Sequence, residues 1–274
     1  MTEFWRRLLR TPQGLLGCAI VGLVLVAVVA GGWLTPYGAS DMQALARYKA
    51  PSAQHWLGTD QYGRDILSRL LAGARSTVVM AVVATVVGTL GGAVLGTGSA
   101  YLGGRADEFI MRTVDAVMAI PSLLLALLVV SLLGSNAANA LLAISIAFVP
   151  SMARISRSVA LTVRKQDYVS AAVARGEGAG YIVWREMLPN VAAPIVVEMT
   201  IRVSFAVMLF ATLSFLGLGA QPPAPDWGLM VSEARQFLHR SPWILVWPSA
   251  AIAITAIGFN LLGDGLRDAL NPRT

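Results

Sequence analysis

The chain has 274 residues, of which 56% are hydrophobic and 13% are charged, and its mean hydropathy is +0.65. Soluble domains have about 45–50% apolar and about 25% charged residues, so this composition excludes an ordinary soluble protein and predicts an integral membrane protein. The net charge of +6 fits basic loops at an anionic membrane surface, whereas the scattered arginines do not form the basic face of a nucleic-acid-binding domain. The single cysteine, Cys18, excludes an intrachain disulfide.

Six long apolar stretches follow one another along the chain. Most reach the roughly 20 residues that a helix needs to cross a ~30 Å hydrocarbon core, and only helices satisfy all backbone groups within one span. We therefore predict an all-α polytopic membrane protein with six transmembrane helices. The first stretch is longer than the roughly 7–15 apolar residues of a signal peptide, which favours an uncleaved span. The predicted spans are residues 14–34, 77–102, 114–133, 137–153, 191–218 and 243–263.

The stretches divide the chain into three parts. Residues 1–76 hold an N-terminal segment, the first span and a long outer loop, residues 77–263 hold five spans, and residues 264–274 form a polar tail. Most Lys and Arg residues lie in the termini and in the loops on the same side of the membrane, so the positive-inside rule places both termini in the cytoplasm. Residues 167–190, between the fourth and fifth spans, are then cytoplasmic too.

Residues 167–190 predict two short helices joined by a glycine-rich turn. Residues 168–175 are rich in alanine and precede Gly176, a residue typical of helix C-termini. A second helix is expected over residues 181–188, closed by Pro189. The small side chains on one face of the first helix are those of Ser170, Ala171 and Ala172. A bare helix face of this kind fits a groove on a cytoplasmic partner, and a solvated connector is the alternative.

This segment resembles the EAA loop of ABC-importer permeases, whose pattern is E-A-A, three residues, G, nine residues, I, one residue, L-P. The residues that match the pattern are Ala171, Ala172, Gly176, Leu188 and Pro189. Ser170 replaces the acidic residue of the pattern, and Glu186 replaces the apolar one. The resemblance implies a type I ABC-importer permease fold in which the loop is a coupling helix for a cytoplasmic ATPase.

Three further segments resemble the dipeptide, oligopeptide and nickel group of binding-protein-dependent permeases. Within this group, the chain resembles the second of the two permease subunits. The segments are HWLGTDQYGRDILSRLLAGARSTV (residues 55–78), LSFLGLGAQPPAPDWGLM (213–230) and NLLGDGLRDALNPR (260–273). The resemblance implies an importer of a bacterial inner membrane, built from two homologous permeases, two cytoplasmic ATPase subunits and an extracytoplasmic binding protein. The implied cargo is a di- or oligopeptide, or nickel or a metal chelate, and the implied mechanism is alternating access.

Two outer segments are candidates for contact with the binding protein. The first contains Asp60 and Arg64, and residues 64–74 predict an amphipathic helix at the outer interface. Its acidic residues lack the spacing of a Ca²⁺ loop, so no metal site is predicted. In the later segment, three prolines precede Asp226 and Trp227. This indicates an interfacial anchor, or part of the docking surface or outer gate beneath the binding protein, or both.

Small residues and prolines shape the predicted spans. Gly88, Gly92 and Gly96 recur every four residues, and this spacing allows close helix contact with a neighbouring span or the partner permease. Prolines at positions 121 and 150 are expected to kink or end the third and fourth spans, and Pro194 is expected in the first turn of the fifth.

The fifth span holds a clear intramembrane charge pair, Glu198 and Arg202. Residues four apart share one helix face. An unpaired charge in mid-membrane costs about 2.5–3.5 kcal/mol on insertion scales, so the two are expected to pair and to face protein or water. Two roles remain open, a structural ion pair near the cytoplasmic end and a place on the translocation path.

The sequence also limits the chemistry of the chain. It contains no G-x-x-x-x-G-K-[ST] phosphate loop, so no cofactor is expected here, and ATP and Mg²⁺ are expected on the partner ATPases. It contains no H-E-x-x-H or G-x-S-x-G motif, which argues against a membrane enzyme. The alternative to an importer permease is a self-sufficient secondary transporter or channel, which predicts activity without ATPases and a richer buried ion or proton site.

Overall fold

The structure, a computed structural model, describes residues 2–270, and these residues form an all-α protein. The helices are α1 Thr2–Arg10, α2 Pro12–Leu34, α3 Ile66–Leu102, α4 Gly104–Met118, α5 Ser122–Leu133, α6 Ala137–Val163, α7 Asp167–Ala174, α8 Ala179–Tyr181, α9 Leu188–Phe215, α10 Trp227–Ala234 and α11 Trp243–Leu270. A π-turn, Ile182–Met187, joins α8 to α9. The predicted all-α polytopic fold is confirmed. Residues 271–274 of the predicted tail, which include Arg273, lie outside the described residues.

Within residues 2–270, five helical segments are long and apolar enough to cross a membrane, and α4 and α5 together make a sixth candidate span. These two helices meet at an angle of 88°. The break lies at Pro121, which has no N–H to donate and disfavours a helical conformation at Ile120. The predicted interruption at Pro121 is therefore confirmed, and residues 114–133 do not form one straight helix.

Three predicted boundaries are wrong. The expected separate helix over residues 64–74 is part of α3, which runs unbroken over 37 residues from its N-cap Asp65. The fourth span does not end near residue 153, because α6 continues through Pro150 to Val163. The fifth span begins at Leu188, so Pro194 lies inside α9 and not in its first turn.

The second span packs closely on the fourth through its glycine face. A Cβ added at Gly88 would lie 2.7 Å from the carbonyl oxygen of Ser145, and one added at Gly92 would lie 2.8 Å from the backbone nitrogen of Ala153. Gly96 likewise faces the backbone of Ala153. These distances leave no room for a side chain, so the backbones of α3 and α6 touch along this face.

Two hydrophobic clusters hold the helices together. The larger cluster joins α2, α3, α5, α6, α9, α10 and α11, with Phe210 and Trp227 among its buried members. The smaller cluster joins the far ends of α3, α6 and α9 to α7 and the π-turn. Ion pairs also connect α4 to α6, between Asp107 and Arg157 and between Asp115 and Arg154. The segment that resembles the EAA loop is therefore packed directly on three membrane spans.

Candidate coupling site and membrane charge pair

We call residues 167–190, which resemble the EAA loop, the coupling segment. Its first half is a short helix with a tight glycine end. Gly176 has φ +78, and its N–H donates to the carbonyl of Val173 at 2.9 Å. The N–H of Glu177 donates to the carbonyl of Ala172 at 3.2 Å. This pair of bonds is the Schellman arrangement, which needs a left-handed residue where glycine is favoured. The predicted helix stop at Gly176 is confirmed.

The inner face of the segment is bound to the chain itself. Val169 and Ala172 on α7 are buried, and they pack with Ile182 and Met187 of the π-turn. Ala172 therefore does not belong to a bare face open to a partner, and that part of the prediction is wrong. The alanine content of α7 did not show which face turns inward, because the facing apolar residues lie elsewhere in the sequence.

The outer face of the segment is exposed and rich in aromatic side chains. Trp184 is 61% exposed, and Tyr168, Val173 and Tyr181 also have large exposed areas. The small residues Ser170 and Ala171 lie exposed on α7. Exposed large apolar side chains are typical of surfaces that contact a protein partner or the membrane. We call Tyr168, Val173, Tyr181 and Trp184 the aromatic face of the coupling segment.

Pro189 does not close the second helix. The chain is helical from Ala179 to Phe215, so the predicted stop at Pro189 is wrong. In a regular α-helix the proline ring would clash with the carbonyl four residues earlier. Here the π-turn precedes it, and the N–H of Leu188 donates to the carbonyl of Val183, five residues back. This wider turn accommodates the proline, and it makes the second half of the coupling segment continuous with the fifth span.

Glu198 and Arg202 form an ion pair on α9. The distance from Arg202 Nη2 to Glu198 Oε1 is 3.1 Å. The Arg202 guanidinium also lies over the ring of Phe148 on α6, with its central carbon 5.6 Å from the ring centre. The pair lies in the membrane-spanning part of the chain, where a partner is needed for each charge.

Asp60 and Arg64 are buried where the loop between α2 and α3 meets α10. They contact each other directly, and Arg64 Nη2 lies 2.8 Å from Glu233 Oε2 on α10. Arg69 Nη2 lies 3.7 Å from the same Glu233 oxygen. These side chains form a charge cluster that ties the loop between α2 and α3 to α10. They offer no surface to a binding protein, so the docking prediction for Asp60 and Arg64 is wrong. Sequence reasoning missed Arg69 and Glu233, since no local pattern links them.

Asp226 and Trp227 are buried as well, and they anchor α10 to α3. Asp226 Oδ2 accepts a hydrogen bond from the Thr77 hydroxyl at 2.7 Å, and Asp226 Oδ1 accepts one from the N–H of Leu229 at 3.1 Å. The indole N–H of Trp227 donates to the carbonyl of Leu70 at 2.8 Å. Burial raises the pKa of Asp226 above its ordinary value. Neither residue is an interfacial anchor or a docking group.

Comparison with known proteins gives the family. A family model described as "Binding-protein-dependent transport system inner membrane component" matches residues 88–274. A second model, described as the N-terminal TM domain of oligopeptide transport permease C, matches residues 1–51. Together they cover the coupling segment, the charge pair and both ends of the chain.

Similar curated proteins cover nearly the whole chain. A glutathione transport system permease protein, GsiD of Pectobacterium atrosepticum, is 40% identical over 272 residues, which are 99% of this chain and 90% of that protein. A dipeptide transport system permease protein, DppC of Alkalihalophilus pseudofirmus, is 38% identical over 99% of this chain and 89% of its own length. A probable D,D-dipeptide transport system permease protein, DdpC of Escherichia coli K12, is 38% identical over 96% of this chain and 88% of its own length. The chain belongs to the family of binding-protein-dependent transport system inner membrane components and is a multi-pass permease subunit of an ABC importer.

Proposed function

We propose that this chain carries short peptides across the bacterial inner membrane as one of two homologous permeases. The three relatives described above are named for glutathione, dipeptides and D,D-dipeptides, which supports a small peptide as cargo. None of these three names mentions nickel, so peptide is the cargo we propose. The binding protein delivers the peptide from outside, and two cytoplasmic ATPase subunits hold ATP and Mg²⁺.

Both termini and the coupling segment lie in the cytoplasm in this proposal. The exposed arginines at the N-terminus, Arg6, Arg7 and Arg10, support this orientation by the positive-inside rule. The aromatic face then points away from the membrane, towards the ATPase subunits. A groove on an ATPase that accepts α7 and the π-turn would cover these side chains, as in other helix-in-groove contacts.

The observation that carries the proposal is the mechanical connection of the coupling segment. Its inner face shares one hydrophobic cluster with α3 and α6, and its second half continues directly into α9. A movement of the ATPase subunits at the π-turn is therefore passed directly to α9 and, through the shared cluster, to α3 and α6. ATP binding favours one arrangement of the spans because the ATPases hold nucleotide differently in the two arrangements. This change exposes the path alternately to the outside and to the cytoplasm.

The test is ATP-driven peptide uptake by the complete importer in proteoliposomes. Trp184→Ala removes the largest side chain of the aromatic face, and we expect it to abolish uptake and the stimulation of ATP hydrolysis by the loaded binding protein. Trp33→Ala is the matched control. Trp33 is 85% exposed, and it lies at the C-terminal end of α2, which faces the outside in the proposed orientation. Normal coupled uptake by Trp184→Ala would overturn the proposal. Uptake by the wild type without ATP would instead favour a self-sufficient transporter.

A further inference from the structure

A cavity of about 360 Å³ lies beside the break between α4 and α5. Its volume falls within the roughly 300–1,000 Å³ that small-molecule sites occupy. The break supplies Pro121 and Ser122, α6 supplies Phe148, and α9 supplies Phe205. The remaining wall is largely apolar, and the charged groups on it are Glu198 and Arg202. The cavity therefore presents one anion and one cation within an otherwise apolar chamber.

The Glu198–Arg202 pair is open to this cavity. The side chains of Glu198 and Arg202 are 24% and 18% exposed, respectively. The Arg64–Asp60 pair of the outer charge cluster is sealed by comparison, with side-chain exposures of 2% and 5%. A sealed pair leaves no room for a ligand, whereas the partly exposed Glu198–Arg202 pair does.

Glu198 lies on the wall of a second cavity as well. This cavity has a volume of about 390 Å³, and it is lined by Pro194 and Glu198 on α9, Ile155 on α6 and Arg267 near the end of α11. Glu198 thus lines both cavities. The second cavity extends towards the C-terminal end of α11, which is cytoplasmic in the proposed orientation. A molecule that moved from one cavity to the other would pass the Glu198–Arg202 pair.

We propose that Glu198 and Arg202 form a subsite for the charged ends of a zwitterionic peptide on its way through the permease. The guanidinium of Arg202 takes the peptide carboxylate, and the carboxylate of Glu198 takes the peptide ammonium group. This inference rests on the proposed function and gives a specific role to the membrane charge pair. In the empty state the two side chains neutralise each other.

Charge balance favours a zwitterion over other ligands. A peptide with one positive and one negative end can separate Glu198 from Arg202. Glu198 then exchanges the guanidinium of Arg202 for the peptide ammonium group, and Arg202 exchanges the carboxylate of Glu198 for the peptide carboxylate. No net charge is added to the low-dielectric chamber, and no charge is left alone. A simple anion would leave Glu198 without a partner, and a simple cation would leave Arg202 without one. The same balance allows the peptide to leave, because the side chains close on each other behind it.

Peptide binding to the assembled transporter tests the subsite directly. The complete complex of permeases and ATPases, in lipid nanodiscs without the binding protein, is mixed with radiolabelled L-Ala-L-Ala or with N-acetyl-L-Ala-L-Ala-amide, which lacks both charged ends. We expect the wild type to bind L-Ala-L-Ala about tenfold or more tightly than the blocked peptide, because the two charged contacts are lost with the blocked ends. In Glu198→Gln/Arg202→Gln both charges are removed together, so no unpaired charge remains in the cavity. This variant should bind the free and the blocked peptide about equally tightly.

Glu108→Gln/Arg112→Gln is the matched control. Glu108 and Arg112 form an exposed ion pair with the same spacing on α4, and the double change should leave the tenfold preference intact. Single changes separate the two ends: Glu198→Gln should remove the preference for a free ammonium group, and Arg202→Gln the preference for a free carboxylate. A preference that persists in Glu198→Gln/Arg202→Gln, or is absent from the wild type, overturns the subsite. ATP-driven uptake of L-Ala-L-Ala by the wild-type complex, reconstituted in proteoliposomes with its binding protein, is measured in parallel, and its absence would count against the proposed function instead.

Discussion

The contact between α3 and α6 makes a quantitative prediction for Gly92. A Cβ added at Gly92 would lie 2.5 Å from the Cβ of Met152 and 2.8 Å from both the backbone nitrogen of Ala153 and the carbonyl oxygen of Val149. Carbon atoms in contact are about 3.5–4.0 Å apart, so Gly92→Ala would force the two helices apart by about 1 Å. Overpacking of this kind costs about 1–3 kcal/mol of stability.

Gly98→Ala is the matched control for this change. Gly98 lies on the same helix, and a Cβ there meets no atom within 4 Å. Both variants gain about 0.5–1 kcal/mol from the better helix propensity of alanine, and this gain cancels when the two are compared. We expect the midpoint of thermal unfolding, followed by tryptophan fluorescence in detergent, to be about 2–12 °C lower for Gly92→Ala than for Gly98→Ala. Equal midpoints would refute the close contact.

Three further predictions concern residues that lie between the membrane spans. Gly176→Val opposes the left-handed backbone at φ +78 and should destabilise the end of α7 by about 1–2 kcal/mol, whereas Gly178→Val, at φ −69, should change little; hydrogen exchange of residues 167–177 measures both. Burial raises the pKa of Asp226, so its protonated form stabilises the fold below the ordinary pKa of about 3.9, and this contribution is lost as pH rises through the raised pKa. The difference between the thermal midpoints of Asp226→Asn and wild type should therefore shift in favour of the variant as pH rises. A difference that does not change with pH would contradict the raised pKa. Glu233→Gln should lower the stability of the fold by about 1–3 kcal/mol, because Arg64 loses a charged acceptor. The exposed Glu108→Gln should lower it by less than about 1 kcal/mol. Equal losses of stability in thermal unfolding would disprove the buried cluster.

Features governed by local chemistry could be predicted from the sequence. The apolar stretches predicted the order and approximate places of the membrane helices, because the thickness of the hydrocarbon core sets the length of a spanning helix. Gly176 predicted the end of α7, since a left-handed helix end favours glycine. Glu198 and Arg202 predicted an ion pair because a spacing of four places both on one helix face.

Features that depend on distant residues could not be predicted. Arg64 and Glu233 are 169 positions apart, and no local pattern indicated that they would be buried together. Their charges instead suggested an exposed docking surface. Ala172 was assigned to an open face, because the sequence does not say which side of α7 meets α3 and α6. Pro189 was expected to end a helix, and the π-turn that accommodates it has no recognisable sequence signal.

Site-specific photo-cross-linking tests the central claim most directly, namely that the coupling segment binds the ATPases in the cytoplasm. A photoreactive amino acid is placed at Trp184 on the aromatic face or, as a control, at Trp56 in the first outer loop, where the side chain is also exposed. Both variants are irradiated in the complete importer, and cross-linked subunits are identified by mass spectrometry. We predict cross-links from position 184 to an ATPase subunit and none from position 56. Cross-links to the ATPase from position 56, with none from position 184, would contradict both the orientation and the coupling role.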